Sequence, residues 1–179
     1  IGFTHLEFLG SLENVAKGKA ELLHGLKYEG VIILNSDDRF TEQIARLARQ
    51  RKQRVVLFGI QNQAEYSASD IGEDGQSVSF RLACLSMRET VKVSLPFTGR
   101  HNVYNVLAAV AACKEYGLSF EEIVAGLGTL KLPAMRLEPI ALGGVMFIND
   151  AYNANPSSLH AALAAFEKME AAGKKVFVF

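Results

Sequence analysis

The feature of this chain that most restricts its fold is an alternation of helix-like and strand-like segments along most of its 179 residues. Short apolar runs at 31–34 and 55–58 predict buried strands, and the segments 12–24 and Thr41–Gln50 predict helices. Such alternation is typical of α/β proteins, in which helices cover a parallel sheet. We therefore expect one α/β domain with a mainly parallel sheet flanked by helices.

The middle of the chain departs from this alternation. Between residues 66 and 96, apolar side chains recur at every second position, as at Val78, Phe80 and Leu82. This is the period of a strand with one buried face, so we expect a small antiparallel subsheet here. Beyond it the predicted helices are 103–116, one from Ser119 and 158–171, and the predicted strands are 136–141, 145–148 and 176–179.

The composition argues against several classes of function. The 19 Lys and Arg residues balance 19 Asp and Glu, whereas a nucleic-acid or membrane-surface binder should be basic. No apolar run approaches the roughly 18 residues of a membrane span, and no signal peptide opens the chain. Cys84 and Cys113 lack the spacing of a metal or redox motif, so buried free thiols are expected. These features predict a soluble, cytoplasmic protein.

The two ends predict that the chain is part of a longer protein. It begins at Ile1 without a methionine, and it stops at Phe179 inside an apolar run. A proteolytic product would have the same appearance.

Lys19 is the residue that a helical wheel singles out in the segment 12–24. It falls on the apolar stripe, whereas Lys17 points away from it. The stripe consists of Leu12, Val15, Ala16, Leu22, Leu23 and Leu26. A lysine on a buried face is less readily protonated and becomes a better nucleophile. The alternative is a lysine whose stem follows the stripe and whose amine reaches water.

Three further groups of residues carry polar chemistry, the first of them near the start of the chain. His5 and Glu7 could hold a hard divalent cation such as Mg²⁺ together with a modified lysine. Alternatively, His5 is a loop histidine and Glu7 a solvated charge.

The second group lies at the start of the predicted helix 103–116. Asn102 and Asn105 are three residues apart, so they share a helix face, and carboxamides suit the edge of adenine. The alternative is that Asn102 only caps the helix.

The third group surrounds the predicted strands 136–141 and 145–148. Asp150 follows a strand, where a carboxylate can bind both hydroxyls of a ribose, although an Asx turn is the simpler explanation. Ser157 is a plausible N-cap. Arg136 could bind phosphate or pair with Glu138.

The chain lacks the common phosphate-binding and catalytic signatures. There is no GxxxxGK[ST] loop, because Glu13 and Ala20 stand where a glycine and a hydroxyl residue are needed around Gly18 and Lys19. A GxGxxG turn, a GxSxG elbow and zinc-ligand spacing are also missing from the sequence.

Five segments of the chain together carry a resemblance to a known family. They are Thr4-His5-Leu6-Glu7, Gly10-Ser11 with Lys19, Gly99-Arg100-His101-Asn102-Val103-Tyr104-Asn105, Met135-Arg136-Leu137-Glu138 and Asp150-Ala151-Tyr152-Asn153-Ala154-Asn155-Pro156-Ser157. In order and in spacing, these segments resemble the Mur ligases of peptidoglycan synthesis. The resemblance implies that residues 1–179 are most of a P-loop-like central ATP-binding domain. Its first strand and phosphate loop would precede Ile1, and UDP-sugar-binding and C-terminal domains would flank it.

The resemblance also implies a role for each matching residue. His5 and Lys19, the latter as a carbamate, would be catalytic and would bind Mg²⁺. The ATP-binding residues would be Asn102 and Asn105 at adenine, Arg136 at the phosphates, Asp150 at the ribose, and His101. Further candidates on the same motifs are Glu7, Tyr152, Asn153 and Asn155.

The implied activity belongs to the complete protein. The 152–156 run resembles the family members that add D-alanyl-D-alanine to UDP-N-acetylmuramoyl-tripeptide. ATP would phosphorylate the tripeptide carboxylate, and the dipeptide amine would attack the acyl phosphate. Another Mur ligase or a folylpolyglutamate synthase-type amide ligase is the first alternative. The second is that the piece alone is a non-catalytic nucleotide-binding module, inactive as a ligase and weak in ATP binding.

Overall fold

A computed structural model describes residues 1–2, 6–27, 29–74, 77–131 and 133–178, without the side chains of Leu6, Glu7 and Ser157. The helices are α1 (Leu6–Leu9), α2 (Leu12–Ala20), α3 (Leu22–Gly25), α4 (Thr41–Gln50), α5 (Arg100–Glu115), α6 (Phe120–Leu127) and α7 (Pro156–Lys168). The strands are β1 (Val31–Asn35), β2 (Arg54–Gly59), β3 (Tyr66–Glu73), β4 (Val78–Cys84), β5 (Glu89–Leu95), β6 (Glu138–Leu142) and β7 (Val145–Asn149).

Strands β1 to β5 form one sheet in chain order. β1, β2 and β3 pair in parallel, whereas β4 runs antiparallel to both β3 and β5. Four of the five strands therefore point in one direction, which confirms the mainly parallel sheet flanked by helices. The antiparallel segment predicted between residues 66 and 96 is also confirmed, as an extension of this sheet.

Helices cover both faces of the sheet. On one face, α5 and α6 pack on the inward side chains of β2 to β5, and this larger cluster includes Val78, Phe80, Leu82, Val93, Leu95, Val103, Leu107 and Val110. On the other face, α4 buries Ile44 and Ala48 against Ala16 and Leu23. The period-two spacing in β4 puts its apolar side chains on the α5 face, because successive strand residues point to opposite sides.

The predicted helix 12–24 is wrong as a continuous element. The structure divides it at Glu21, whose N–H lies 3.2 Å from the carbonyl of Lys17 and 3.3 Å from that of Gly18. Beyond this point Leu23 enters the core, and the buried Gln53 donates its Nε2 hydrogen to the Leu23 carbonyl oxygen at 2.8 Å. This tertiary hydrogen bond favours a new, short helix over continuation of α2.

The last predicted strand, 176–179, is also wrong over the residues that the structure describes. Val176, Phe177 and Val178 lie outside helices and strands and are 71%, 53% and 87% exposed, and Phe179 lies outside the description. Lys175 donates to the carbonyl oxygens of Phe166 and Glu167 at the end of α7. These bonds hold the segment beside α7, which itself ends at Lys168 and not at the predicted residue 171.

The predicted pair of strands around Gly143 and Gly144 is confirmed as the β6–β7 hairpin, a separate two-stranded sheet. Both glycines have positive φ, 58° and 77°, as a two-residue hairpin turn of type I′ requires. Cys84 and Cys113 are free, as predicted. Cys84 is buried as expected, whereas Cys113 is only half-buried. Of the helices described here, none combines the length and the apolar character needed to cross a membrane.

Candidate functional site

The start of α5 is shaped by Gly99, the N-cap residue, which has a φ of +106°. A Cβ atom at this position would lie 2.6 Å from Cε1 of His101, so glycine lets the imidazole fold back against the helix start. Asn102 donates its backbone N–H to the Gly99 carbonyl oxygen at 2.8 Å. The backbone therefore places His101 at the mouth of the helix.

His101 lies near two carboxylates from distant parts of the chain. Burial lowers the pKa of His101, whereas the charges of Asp150 and Glu73 raise it, and burial prevails, so the pKa lies below 6.5. Glu73, at the end of β3, is largely buried and pairs with Lys168 of α7. Asp150, another predicted site residue, is therefore one of the charges that act on the His101 imidazole.

Asn102 and Asn105 share a face of α5, as predicted. Asn102 is 6% exposed and donates its Nδ2 hydrogen to the Thr98 carbonyl oxygen at 2.8 Å. Asn105 is exposed and donates to Oδ1 of Asn102 at 3.3 Å. Asn102 is therefore not the helix cap. Its buried side chain accepts the hydrogen bond that orients Asn105.

A cavity of about 270 Å³ adjoins this asparagine pair. It is lined by Phe97, Asn102, Asn105, Val106, Ala109, Leu127, Leu130 and Lys131. Its walls combine apolar side chains and an aromatic ring with carboxamides at one end. This arrangement suits a flat heterocycle that needs both a donor and an acceptor at its edge.

Arg136 stands in a tightly held loop before β6. Its neighbours Met135 and Leu137 have positive φ, 61° and 46°. Glu138 does not pair with Arg136, because its carboxylate accepts the Met135 N–H at 2.9 Å and the Nδ2 hydrogen of Asn149 at 3.2 Å. The guanidinium of Arg136 remains exposed at the surface.

The segment after β7 completes this part of the site. Asp150 is exposed, and its Oδ1 accepts the Leu137 N–H at 3.0 Å, so it supports the Arg136 loop. Asn155, not Ser157 as predicted, is the N-cap of α7, because its Oδ1 accepts the Ser158 N–H at 2.9 Å. The candidates Tyr152 and Asn153 are exposed on the turn between them.

The predicted burial of Lys19 is wrong. Lys19 is exposed in the last turn of α2, where Lys17 is exposed as well. The helix buries only Val15 and Ala16, and it ends one residue after Lys19. A lysine in the last turn of a helix interacts favourably with the carbonyl end of the helix dipole. This interaction explains why a lysine occupies the position although the side chain is not buried.

The metal site predicted at the start of the chain involves residues outside the description. His5 is not among the described residues, and neither is the side chain of Glu7. In the described part of the chain, no three His, Cys, Asp or Glu side chains cluster closely enough to hold a metal ion. A role for His5, Glu7 and Lys19 in binding Mg²⁺ therefore stays a prediction.

Sequence reasoning missed Asp37, which follows β1. Its carboxylate accepts the backbone N–H groups of Ile60 at 2.7 Å, Gln61 at 3.0 Å and Asn62 at 2.7 Å, and the Tyr104 hydroxyl at 2.9 Å. Burial raises the pKa of Asp37, but these hydrogen bonds outweigh it, so the pKa lies below 3.8.

The position of Asp37 in the sequence could have revealed its importance. It stands in the polar run Asn35-Ser36-Asp37-Asp38 at the carboxyl end of β1, where side chains commonly support a site; the strand itself is half-buried and not fully buried as predicted. The close packing of Ser36 and Asp37 against the end of β2 also requires glycine at position 59, since a Cβ atom there would lie 2.0 Å from Oγ of Ser36. Asp37 thus joins the ends of β1 and β2 to α5, the helix that carries His101 and Asn105.

Comparison with known proteins assigns the fold and these motifs to a family. Residues 1–113 match the model of the Mur ligase middle domain, and the chain belongs to this family. It is 34% identical over 179 residues to the UDP-N-acetylmuramoyl-tripeptide–D-alanyl-D-alanine ligase of Bacillus subtilis, covering 99% of this chain and 37% of the relative. The ligase of the same name from Escherichia coli K12 is 35% identical over 92% of this chain and 36% of the relative.

A solved structure has the same fold as this chain. The crystal structure of MurF from Acinetobacter baumannii superposes with a TM-score of 0.88 at 34% identity, covering 95% of this chain and 36% of that chain. The present chain thus spans little more than a third of the length of the relatives that it matches.

Proposed function

We propose that this chain is the central ATP-binding part of a ligase that joins D-alanyl-D-alanine to UDP-N-acetylmuramoyl-tripeptide. Two curated ligases of that name match it over more than nine-tenths of its length. The observation that carries the proposal is the hydrogen bond from the Leu137 N–H to the Asp150 carboxylate, which joins the Arg136 loop to the motif segment after β7. UDP-sugar-binding and C-terminal domains would complete the protein.

Each side chain of this site is suited to one part of a nucleotide. Asn105, beside the apolar cavity, would hold the adenine edge, with Asn102 fixing its orientation. Asp150 uses one carboxylate oxygen for the Leu137 N–H, which leaves the other for ribose hydroxyls. The exposed guanidinium of Arg136 would donate to phosphate oxygens, and the neutral imidazole of His101 would line the sugar.

The reaction would proceed in two steps. The terminal carboxylate of the tripeptide attacks the γ-phosphorus of ATP, and the bond to the ADP oxygen breaks, which forms an acyl phosphate. The free amine of D-alanyl-D-alanine then attacks the acyl carbon, loses a proton, and displaces inorganic phosphate to leave an amide. The contribution of Arg136 is to stabilise the charge that develops on the transferred phosphoryl group.

For the metal, we propose that His5 and a carbamate on Lys19 bind Mg²⁺. The support for this proposal is the family resemblance of both residues, because the exposure of Lys19 removes the desolvation that would make its amine more nucleophilic. Bound Mg²⁺ would supply positive charge to the phosphate oxygens.

An amine-selectivity assay on the complete protein tests the proposed function. With UDP-N-acetylmuramoyl-tripeptide and ATP, we expect ADP and amide product with D-alanyl-D-alanine, and at least about 100-fold less with D-glutamate, L-lysine or diaminopimelate. Product is measured by mass spectrometry and ADP release by a coupled assay. Preference for another amine or another acyl acceptor would assign the chain to a different amide ligase, and absence of ATP turnover would favour a binding module.

Removal of the Asn105 carboxamide tests the adenine site. We expect Asn105→Ala to raise the KM for ATP about three- to tenfold with little change in kcat, because a net hydrogen bond contributes about 0.5–1.5 kcal/mol. Gln43→Ala is the matched control, since Gln43 is an exposed carboxamide on α4, away from the cavity. Equal KM values for the two variants would contradict the assignment.

A further inference from the structure

We propose that Tyr152 is a positioning residue that holds the guanidinium of Arg136 in the orientation in which it meets the nucleotide phosphates. This inference rests on the proposed role of Arg136 as a phosphate contact. It concerns a residue to which the sequence motif gave no role, and it follows from how the Arg136 loop is built.

The backbone on both sides of Arg136 is fixed. Met135 and Leu137 have positive φ, a conformation that residues other than glycine adopt infrequently. Each of these two residues gives its N–H to a carboxylate, Met135 to Glu138 and Leu137 to Asp150. These two hydrogen bonds fix the backbone of the turn that carries Arg136. One of the two accepting carboxylates belongs to Asp150, the proposed ribose ligand.

The Arg136 side chain itself has one aromatic neighbour. Its guanidinium carbon lies 4.2 Å from the centroid of the Tyr152 ring, which is a stacking distance. The backbone N–H of Tyr152 also donates to the Met135 carbonyl oxygen at 3.1 Å, so the ring is anchored to the same turn. Tyr152 is thus tied to the Arg136 loop through both its backbone and its side chain.

Stacking suits an arginine that must bind an anion. The ring occupies the face of the guanidinium and leaves its N–H edge free, and that edge donates to phosphate oxygens in pairs. An unsupported arginine side chain samples many rotamers and loses this freedom when it binds. By limiting those rotamers before the nucleotide arrives, Tyr152 reduces the entropy lost on binding.

The exposure of both side chains argues against a purely structural contact. Tyr152 is 58% exposed and Arg136 is exposed, so the stacked pair adds little to the buried core. The contact therefore orders a cation at an open surface and does not close an interior.

The experiment is a double-mutant cycle in the complete protein, with equilibrium affinities for ATP and for adenosine as readouts. We expect Tyr152→Leu to weaken ATP binding about three- to fivefold and to leave adenosine binding unchanged, since adenosine has no phosphate. Tyr152→Phe, which keeps the aromatic ring, should bind ATP with the affinity of the wild-type protein. In an Arg136→Ala background, Tyr152→Leu should have no further effect.

Three outcomes of the Tyr152→Leu measurements would overturn the proposal. These are unchanged ATP affinity in Tyr152→Leu, equal losses for ATP and adenosine, and additive effects in the cycle. Tyr116→Leu is the control for removing an exposed tyrosine, because Tyr116 is 88% exposed at the end of α5. Unchanged ATP affinity in Arg136→Ala would show that Arg136 does not bind the phosphates. Tyr152 would then have no phosphate-binding arginine to position. The choice of amine in the ligase assay reports separately on the proposed reaction.

Discussion

Lys19→Ala is expected to lower kcat of the complete ligase at least about 100-fold, which corresponds to roughly 2.7 kcal/mol of transition-state stabilisation. If Lys19 carries a carbamate, the substitution removes an anionic group from the place where Mg²⁺ is proposed to bind, and metal ions contribute several kcal/mol to phosphoryl transfer. The measurement is the rate of ADP release at saturating substrates, with bicarbonate supplied.

Lys17→Ala is the matched control for this prediction. Both lysines are exposed in the last turn of α2, so both interact with the carbonyl end of the same helix. Loss of that interaction should shift Tm equally in the two variants, and we expect Lys17→Ala to change kcat less than about twofold. Equal losses of kcat in both variants would show that Lys19 acts only through its charge on the helix.

Period-two spacing made the sheet predictable, because it depends only on which side chains share a face. Val78, Phe80 and Leu82 alternate with polar residues, and β4 buries that set against α5. Local hydrogen bonding was predictable in the same way at Ser119, which forms a capping box with Glu122. Such features are decided within a few residues of the chain.

The exposure of Lys19 was not predictable, because a helical wheel assigns residues to a face of the helix but does not say what lies opposite that face. Other members of the apolar stripe, among them Ala16 and Leu23, pack into one cluster with α4, whereas Lys19 lies exposed at the surface. A similar limit applies to residues 176–178, where apolar composition predicted a strand but strand formation also requires a partner. Both errors concern tertiary contacts that the local pattern does not contain.

The site was predictable to the extent that its residues stand in motifs. His101 and Asp150 were both expected at one nucleotide, and the charge of Asp150 acts on His101 in the folded chain. The supporting contacts were not predictable, since Asp37 and Tyr104 meet only when β1 and α5 pack together. Motifs therefore identify groups that could bind a ligand, whereas the groups that hold them in place emerge from the fold.

Loss of the Asp37 carboxylate is expected to have the second large effect, on stability. Asp37→Ala should lower the free energy of unfolding of this domain by about 1.5–3 kcal/mol, the usual range for hydrogen bonds to a charged group, with partial exposure limiting the loss. Three backbone N–H groups, those of Ile60, Gln61 and Asn62, would lose their acceptor. Hydrogen–deuterium exchange in the complete protein should therefore become faster at these three amides.

The pH dependence of this effect has a defined sign. The pKa of Asp37 is lower in the folded protein than the ordinary value of 3.8, because the hydrogen bonds to its carboxylate outweigh the effect of burial. Its stabilisation is therefore fully present above about pH 5 and is lost as the pH falls below 3.8 through the lower folded pKa. The difference in unfolding free energy between the wild-type protein and Asp37→Ala should shrink over that acidic range.

Two further variants separate the contributions of charge and hydroxyl. Tyr104→Phe removes one of the four donors to Asp37 and should destabilise the domain by about 0.5–1.5 kcal/mol, less than Asp37→Ala. Asp37→Asn keeps an oxygen acceptor without the negative charge, so its loss at neutral pH should fall between these two. That loss should also shrink as the pH falls through the folded pKa of wild-type Asp37, because the variant has no group that titrates there. Unchanged amide exchange at Ile60, Gln61 and Asn62 in Asp37→Ala would show that the carboxylate does not hold the β2–β3 loop.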